Sequence, residues 1–139
     1  MCMQATTKAG GMSMSTGPDV CLFQPPGPAP PVPQPIPTMT DFSKSKKAFK
    51  KVKVMNKDAV PKGSERPDCK GHPPGMHNVK GVADASCMGK CKNNKGSGKV
   101  KIGGDKWICQ TEPQKHNGSP MNMMGVHAKG SQSKVTIMP

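Results

Sequence analysis

Tyrosine is absent from the 139 residues, tryptophan occurs once and phenylalanine three times. So few rings exclude an aromatic-rich core and leave no platform on which nucleic-acid bases could stack. Arginine is nearly missing as well: of 21 basic residues only Arg66 is not a lysine. Base-reading proteins rely on the planar arginine fork, so lysine dominance points to unspecific electrostatics or to a solvated surface. Acidic residues number 8, against which the net charge is +13. Scattered as Asp19, Asp41, Asp58, Glu65, Asp68, Asp84, Asp105 and Glu112, they offer no close carboxylate pair for acid–base catalysis, so we expect no enzyme. No apolar run approaches the roughly 18 residues of a membrane span. The first residues lack the apolar stretch of a secretory leader. The expected site of synthesis is therefore a bacterial cytoplasm. A sustained apolar period of 3.6 is also missing, which predicts little helix.

What is plentiful is glycine and proline, 16 of each, with six cysteines and four histidines. Such a chain is either disordered or a small, loop-rich fold held by staples in place of a large core. The number of potential ligands favours the stapled fold. In a reducing cytoplasm those staples are expected to be metal and not disulfides.

Residues 1–16 are small, polar and methionine-rich and predict a flexible tail, followed by one domain over 17–139. Eight prolines between Pro25 and Pro37 suggest a stiff extended linker. Three short strands are predicted by alternation: Lys51-Val52-Lys53-Val54, Lys99-Val100-Lys101-Ile102 and Val135-Thr136-Ile137. The first two also head an internal repeat. Val52 to Asp58 runs on to Cys69, and Val100 to Lys106 runs on to His116. Each unit is a strand, a tight turn, a second short segment and then a potential ligand.

The densest ligand cluster is Cys69-x2-His72-x4-His77. Cysteine thiolate and histidine imidazole suit tetrahedral zinc, and Pro73-Pro74-Gly75 would turn His77 back toward the others. His116, ending the second repeat, is the expected fourth ligand. Cys87 and Cys91 would lie about 13 Å apart on an extended strand, too far to share one ion, and are expected to be small buried apolar residues. Cys21 and Cys109 remain alternative ligands.

Gly17-Pro18-Asp19-Val20-Cys21, the proline run ending at Pro37, the Lys51–Val54 strand, Gly98 to Gly104, and Lys115-His116-Asn117 follow one another in an order that resembles PAAR-like proteins. The likeness spans roughly residues 17–118. It implies a mainly β fold, a small cone of short strands and loops stapled by zinc from one cysteine and three histidines. It also implies a structural tip that sharpens the spike of a contractile injection machine and helps it puncture a target envelope. The partner would be a homotrimeric VgrG-like or phage-type spike, with one copy of this chain per trimer. Effector cargo, transient contact with a target membrane and no specific nucleic acid belong to the same expectation. The alternative expectation, carried by charge and Cys/His content, is a small zinc-stabilised nucleic-acid-binding protein.

Overall fold

A computed structural model describes residues 3–67, 69–71, 78–83, 89–118 and 120–139, with the backbone alone for 78–80. The strands are β1 (Met3–Gln4), β2 (Met12–Ser15), β3 (Asp19–Phe23), β4 (Val32–Ile36), β5 (Met39–Asp41), β6 (Phe49–Val54), β7 (Lys57–Ala59) and β8 (Glu65–Arg66). They continue as β9 (Asn78–Gly81), β10 (Cys91–Asn93), β11 (Lys101–Ile102), β12 (Asp105–Lys106), β13 (Pro113–His116), β14 (Met123–Lys129) and β15 (Thr136–Ile137). Among the described residues the one helical segment is a 3-10 turn over Phe42–Lys44. The fold is mainly β, as the lack of a helical period predicted.

All three strands expected from alternation form. Lys51–Val54 lies within β6, Lys101–Ile102 is β11 and Thr136–Ile137 is β15. β6 and β7 make a hairpin closed by Met55 and Asn56, both in the left-handed region (φ 52° and 61°), and β11 and β12 one closed by Gly103 and Gly104 (φ 59° and 84°). Two successive positive φ values give the tight turn that matches the twist of paired strands. β15 pairs antiparallel with β1, Met3 opposite Ile137, so the two ends of the chain build a third unit of the same kind.

Each of these units leads into a short extended segment, and the three segments close a ring. Thr6 N–H donates to the Ile108 carbonyl (3.0 Å), Ile108 N–H to Val60 (3.4 Å) and Val60 N–H to Thr6 (3.1 Å). A second set repeats the pattern: Lys8 to Asp58 (2.9 Å), Lys62 to Lys106 (2.8 Å) and Gln110 to Gln4 (2.9 Å). The chain is thus pseudo-three-fold here, with Thr6, Val60 and Ile108 as equivalents. The apolar core sits on one side of the ring. Ala5, Ala59, Ile102, Trp107, Cys109 and Ile137 are buried there, with Phe49, Val52, Val54, Val100 and Val135 partly buried against them. The valines face inward and the intervening lysines outward, as alternation predicts.

On the other side lies a six-stranded antiparallel sheet, order β5-β2-β14-β13-β10-β8. A bridge from Lys46 to Glu65 brings the chain after β5 back to β8, so the sheet nearly closes on itself. Its inward positions are polar: Ser13, Thr40, Arg66, Asn93, Gln114, His116 and His127 are all buried. A three-stranded sheet, β4-β3-β9, completes the fold.

Two expectations are corrected. The supposed flexible tail over 1–16 supplies β1, one side of the ring and β2, and Ala5, Thr6, Thr7 and Ser13 are fully buried. Its threonines and serines are inward partners of polar groups, which is why the segment carries no apolar signal. The proline run is not simply a linker, because Val32–Ile36 pairs with β3 in full register. β4 lies at the edge of its sheet, where alternate prolines, Pro33 and Pro35, can turn their donor-free nitrogens away from the partner.

Candidate functional site

Two neighbouring clusters of polar groups fill the six-stranded sheet. The one nearer the ring is organised by Arg66. Its guanidinium is buried and donates from Nη1 to Asn93 Oδ1 (2.7 Å) and from Nη2 to Gln114 Oε1 (2.9 Å), with no carboxylate partner among the described residues. It lies over the Phe42 ring, 4.4 Å from its centre, and His127 packs against the same ring at 4.3 Å. Burial, and then the charge of Arg66, push the His127 imidazole down to about 4. The neutral ring fits its partners with the proton on Nε2, donating to the Lys129 carbonyl (3.0 Å), while Nδ1 accepts from the Thr6 hydroxyl (3.0 Å).

The second cluster centres on His116. Alternation along β13 turns Gln114 and His116 inward. The Ser13 hydroxyl meets Nε2 at 2.7 Å and the Thr38 hydroxyl meets Nδ1 at 3.2 Å. Burial, followed by the Arg66 charge, pushes this imidazole down to about 4 as well, so it is neutral and has a lone pair to offer near pH 7. Gly125 makes room for it: a Cβ there would overlap the imidazole and stand 2.8 Å from the Met14 carbonyl. Directly after His116 the chain turns through Asn117 (φ 57°) and Gly118 (φ 97°). That turn aims the Asn117 N–H at Cys69 Sγ (3.2 Å), and its side-chain amide donates to Asp19 (2.8 Å) and reaches Cys21 Sγ at 3.6 Å. Asn122 donates to the other Asp19 oxygen and to the Val20 carbonyl (3.0 Å).

Cys69, Cys91 and His116 each present a ligand atom, and these lie within 4.8 Å of one another. All three are fully buried. Such a group could hold a metal ion: thiolates and a neutral imidazole are the donors that zinc prefers. The two sulfurs are joined as a disulfide, so metal binding requires their reduced form.

The ends of the two sequence repeats therefore meet, Cys69 beside His116. His72 and His77, the other two expected ligands, lie outside the described residues. Cys91 was missed as a site residue. Expected as a small apolar side chain, it is paired to Cys69 because β10 lies beside β8 in the sheet, with Cys91 opposite Arg66. No spacing rule reveals that neighbour relation. Cys21 lies next to the cluster through Asn117. Cys109 does not join it. It packs beside Trp107, and burial, with Glu112 next to it, pushes its thiol up to about 12.

These features define a class: a small, near-closed β domain with a pseudo-three-fold ring at one end and a buried Cys/His cluster in its polar interior. The chain belongs to the PAAR-like family: the sequence profile of the toxin PAAR-like domain matches it over residues 11–134. That span includes β2, outside the stretch over which the sequence resemblance runs. A PAAR-like domain fits a spike-tip role in contractile injection systems. No curated protein and no solved structure matches the chain.

Proposed function

We propose that the chain caps the blunt end of a homotrimeric VgrG-like or phage-type spike, one copy per trimer. On this reading it is a structural part of the injection apparatus that helps puncture the target envelope, and not an enzyme. The ring carries the reading. A single chain that offers three near-equivalent corners can make the same contact with each of three identical subunits. The corners follow the three matching strand ends, Val54, Ile102 and Ile137. Two present exposed methionines, Met55 (62% exposed) and Met138 (42%), and the third presents Gly103. Exposed methionine is an adaptable apolar contact, suited to a partner whose three subunits must accept slightly different corners. The protein would be made in the bacterial cytoplasm and carried out with the apparatus, with effector cargo and brief contact with the target membrane following from the same role. Among the described residues no helix is long and apolar enough to cross a membrane.

The proposed metal is zinc, taken up by the reduced protein. Its proposed ligands are Cys69 and His116 with His72 and His77, as expected from the sequence, and the nearness of Cys91 to Cys69 and His116 supports adding it to the set. Mixing the chain with its cognate spike and weighing the complex intact should give three spike chains to one tip. Met55→Glu with Met138→Glu should weaken the complex at least tenfold while leaving the fold intact. A ratio of three to three, or no complex with the spike, would refute the reading.

A further inference from the structure

We propose that Cys69, Cys91 and His116 form a single redox-gated soft-metal site, in which the disulfide and the metal-bound state are alternative forms of the same two sulfurs. The inference rests on the zinc reading above and goes beyond it, by stating when the metal is held and when it is released.

The geometry supports the exchange. Tetrahedral zinc needs its ligand atoms about 3.3–3.8 Å apart, given metal–ligand bonds of about 2.0–2.3 Å. The sulfurs of Cys69 and Cys91 and the nearer nitrogen of His116 fall within 4.8 Å of one another already. Breaking the disulfide lets the sulfurs separate by about 2 Å to take up that spacing, so β8 and β10 need not part. His116 can serve once one of its two hydroxyl contacts gives way. Whichever ring nitrogen turns to the metal, the other keeps a hydroxyl, Ser13 or Thr38, to accept its proton and fix the ring. The Asn117 N–H on Cys69 Sγ stabilises a thiolate better than a disulfide sulfur. Asn117 also touches Cys21, its side-chain nitrogen 3.6 Å from that sulfur.

The chemistry balances with a small thiol–disulfide couple as co-reactant. Two small thiols reduce the protein disulfide, giving two protein thiols and one small disulfide. Zinc then replaces the two thiol protons. In reverse, one small disulfide accepts the two electrons of the zinc-bound thiolates. The Cys69–Cys91 bond re-forms, two protons are taken up by the departing thiolates, and one zinc ion is released. A reducing cytoplasm therefore favours the metal form and an oxidising exterior the disulfide form.

The test uses the full chain, reduced by a small thiol that is then removed, with Co2+ and Zn2+ as probes. Reduced protein should take up one Co2+ with a thiolate-to-cobalt charge-transfer band, and bound Zn2+ should shield Cys69 and Cys91 from alkylation. Adding an oxidised small disulfide should release that metal, consume two thiols per chain and leave Cys69 and Cys91 joined, as read by peptide mass. His116→Gln should still form the disulfide but bind the metal at least tenfold more weakly. If that variant fails to fold, the shielding measurement on the unaltered chain decides alone. Reduced protein that takes no metal would overturn the zinc reading and this inference together. Metal that is bound while Cys91 stays open to alkylation, or that is kept after the disulfide re-forms, would overturn the switch and leave the zinc reading standing.

Discussion

His127 should make the protein sensitive to mild acid, by an amount the structure allows to be worked out. Burial and the nearby Arg66 charge hold its imidazole at about 4 in the fold, against 6.5 when unfolded. At about 1.4 kcal/mol per pH unit, that gap corresponds to about 3 kcal/mol. The sign follows from which state binds the proton. Above pH 6.5 both states are neutral at this site and the full stability is present. Between pH 6.5 and 4 only the unfolded chain takes up a proton, so stability falls, and the loss is nearly complete at pH 4. Protonating Nδ1 would give the Cys109 carbonyl a donor at 3.0 Å, yet it would also set a second cation across Phe42 from Arg66. Small domains have about 5–15 kcal/mol in total, so one residue governs a large share of the acid response. The assay is urea unfolding of the native protein and of His127→Gln at several pH values from 7.5 to 4. Other titrating groups contribute to both proteins and cancel in the difference. The stability gap between them should shrink by about 3 kcal/mol from pH 7.5 to pH 4. A gap that stays constant would refute the claim that a buried neutral His127 is responsible.

Gly125→Ala should destabilise the fold by about 1–3 kcal/mol, because the new methyl overlaps the His116 ring in a tightly filled interior; thermal unfolding reads it. Pro33→Thr with Pro35→Thr should leave the monomer folded but restore free donors to the β4 edge. That pair should self-associate in sedimentation more than the unaltered chain. Deleting residues 3–8 removes Thr6 and Lys8 from the ring and should abolish cooperative unfolding. A truncated chain with a sharp native-like transition would show that the ring does not need its first member.

The parts of the fold legible in the sequence were those in which apolar residues alternate. Val52, Val54, Val100, Ile102 and Ile137 marked three strands because their inward neighbours are apolar. The six-stranded sheet uses the same period of two with Ser13, Arg66, Asn93, Gln114, His116 and His127 facing inward, so hydrophobicity gave no sign of it. The early segment has the composition of a tail for this reason: Thr6 and Thr7 are bonded interior residues whose types are those of solvent-facing ones. Val32-Pro33-Gln34-Pro35-Ile36 carried a readable signal, since prolines at every second position suit a strand paired on one side only. Of the candidate site, Cys69 and His116 could be found by following the repeat to its ends. Cys91 could not, because its partner lies 22 residues away and meets it through strand order, which local spacing does not encode.

The pairing of Met3 with Ile137 makes the backbone, in effect, a loop cut at one of three similar corners. The ring bonds of Thr6, Val60 and Ile108 repeat at the corner where Met3 meets Ile137 as at those turned by Met55-Asn56 and Gly103-Gly104. Joining the ends with a few flexible residues and reopening the chain at Gly103-Gly104 should therefore give a rearranged polypeptide with the same fold. In such a permutant the attachment point for any fused segment moves one third of the way around the axis, while the polar interior and the Cys69–Cys91–His116 cluster stay where they are.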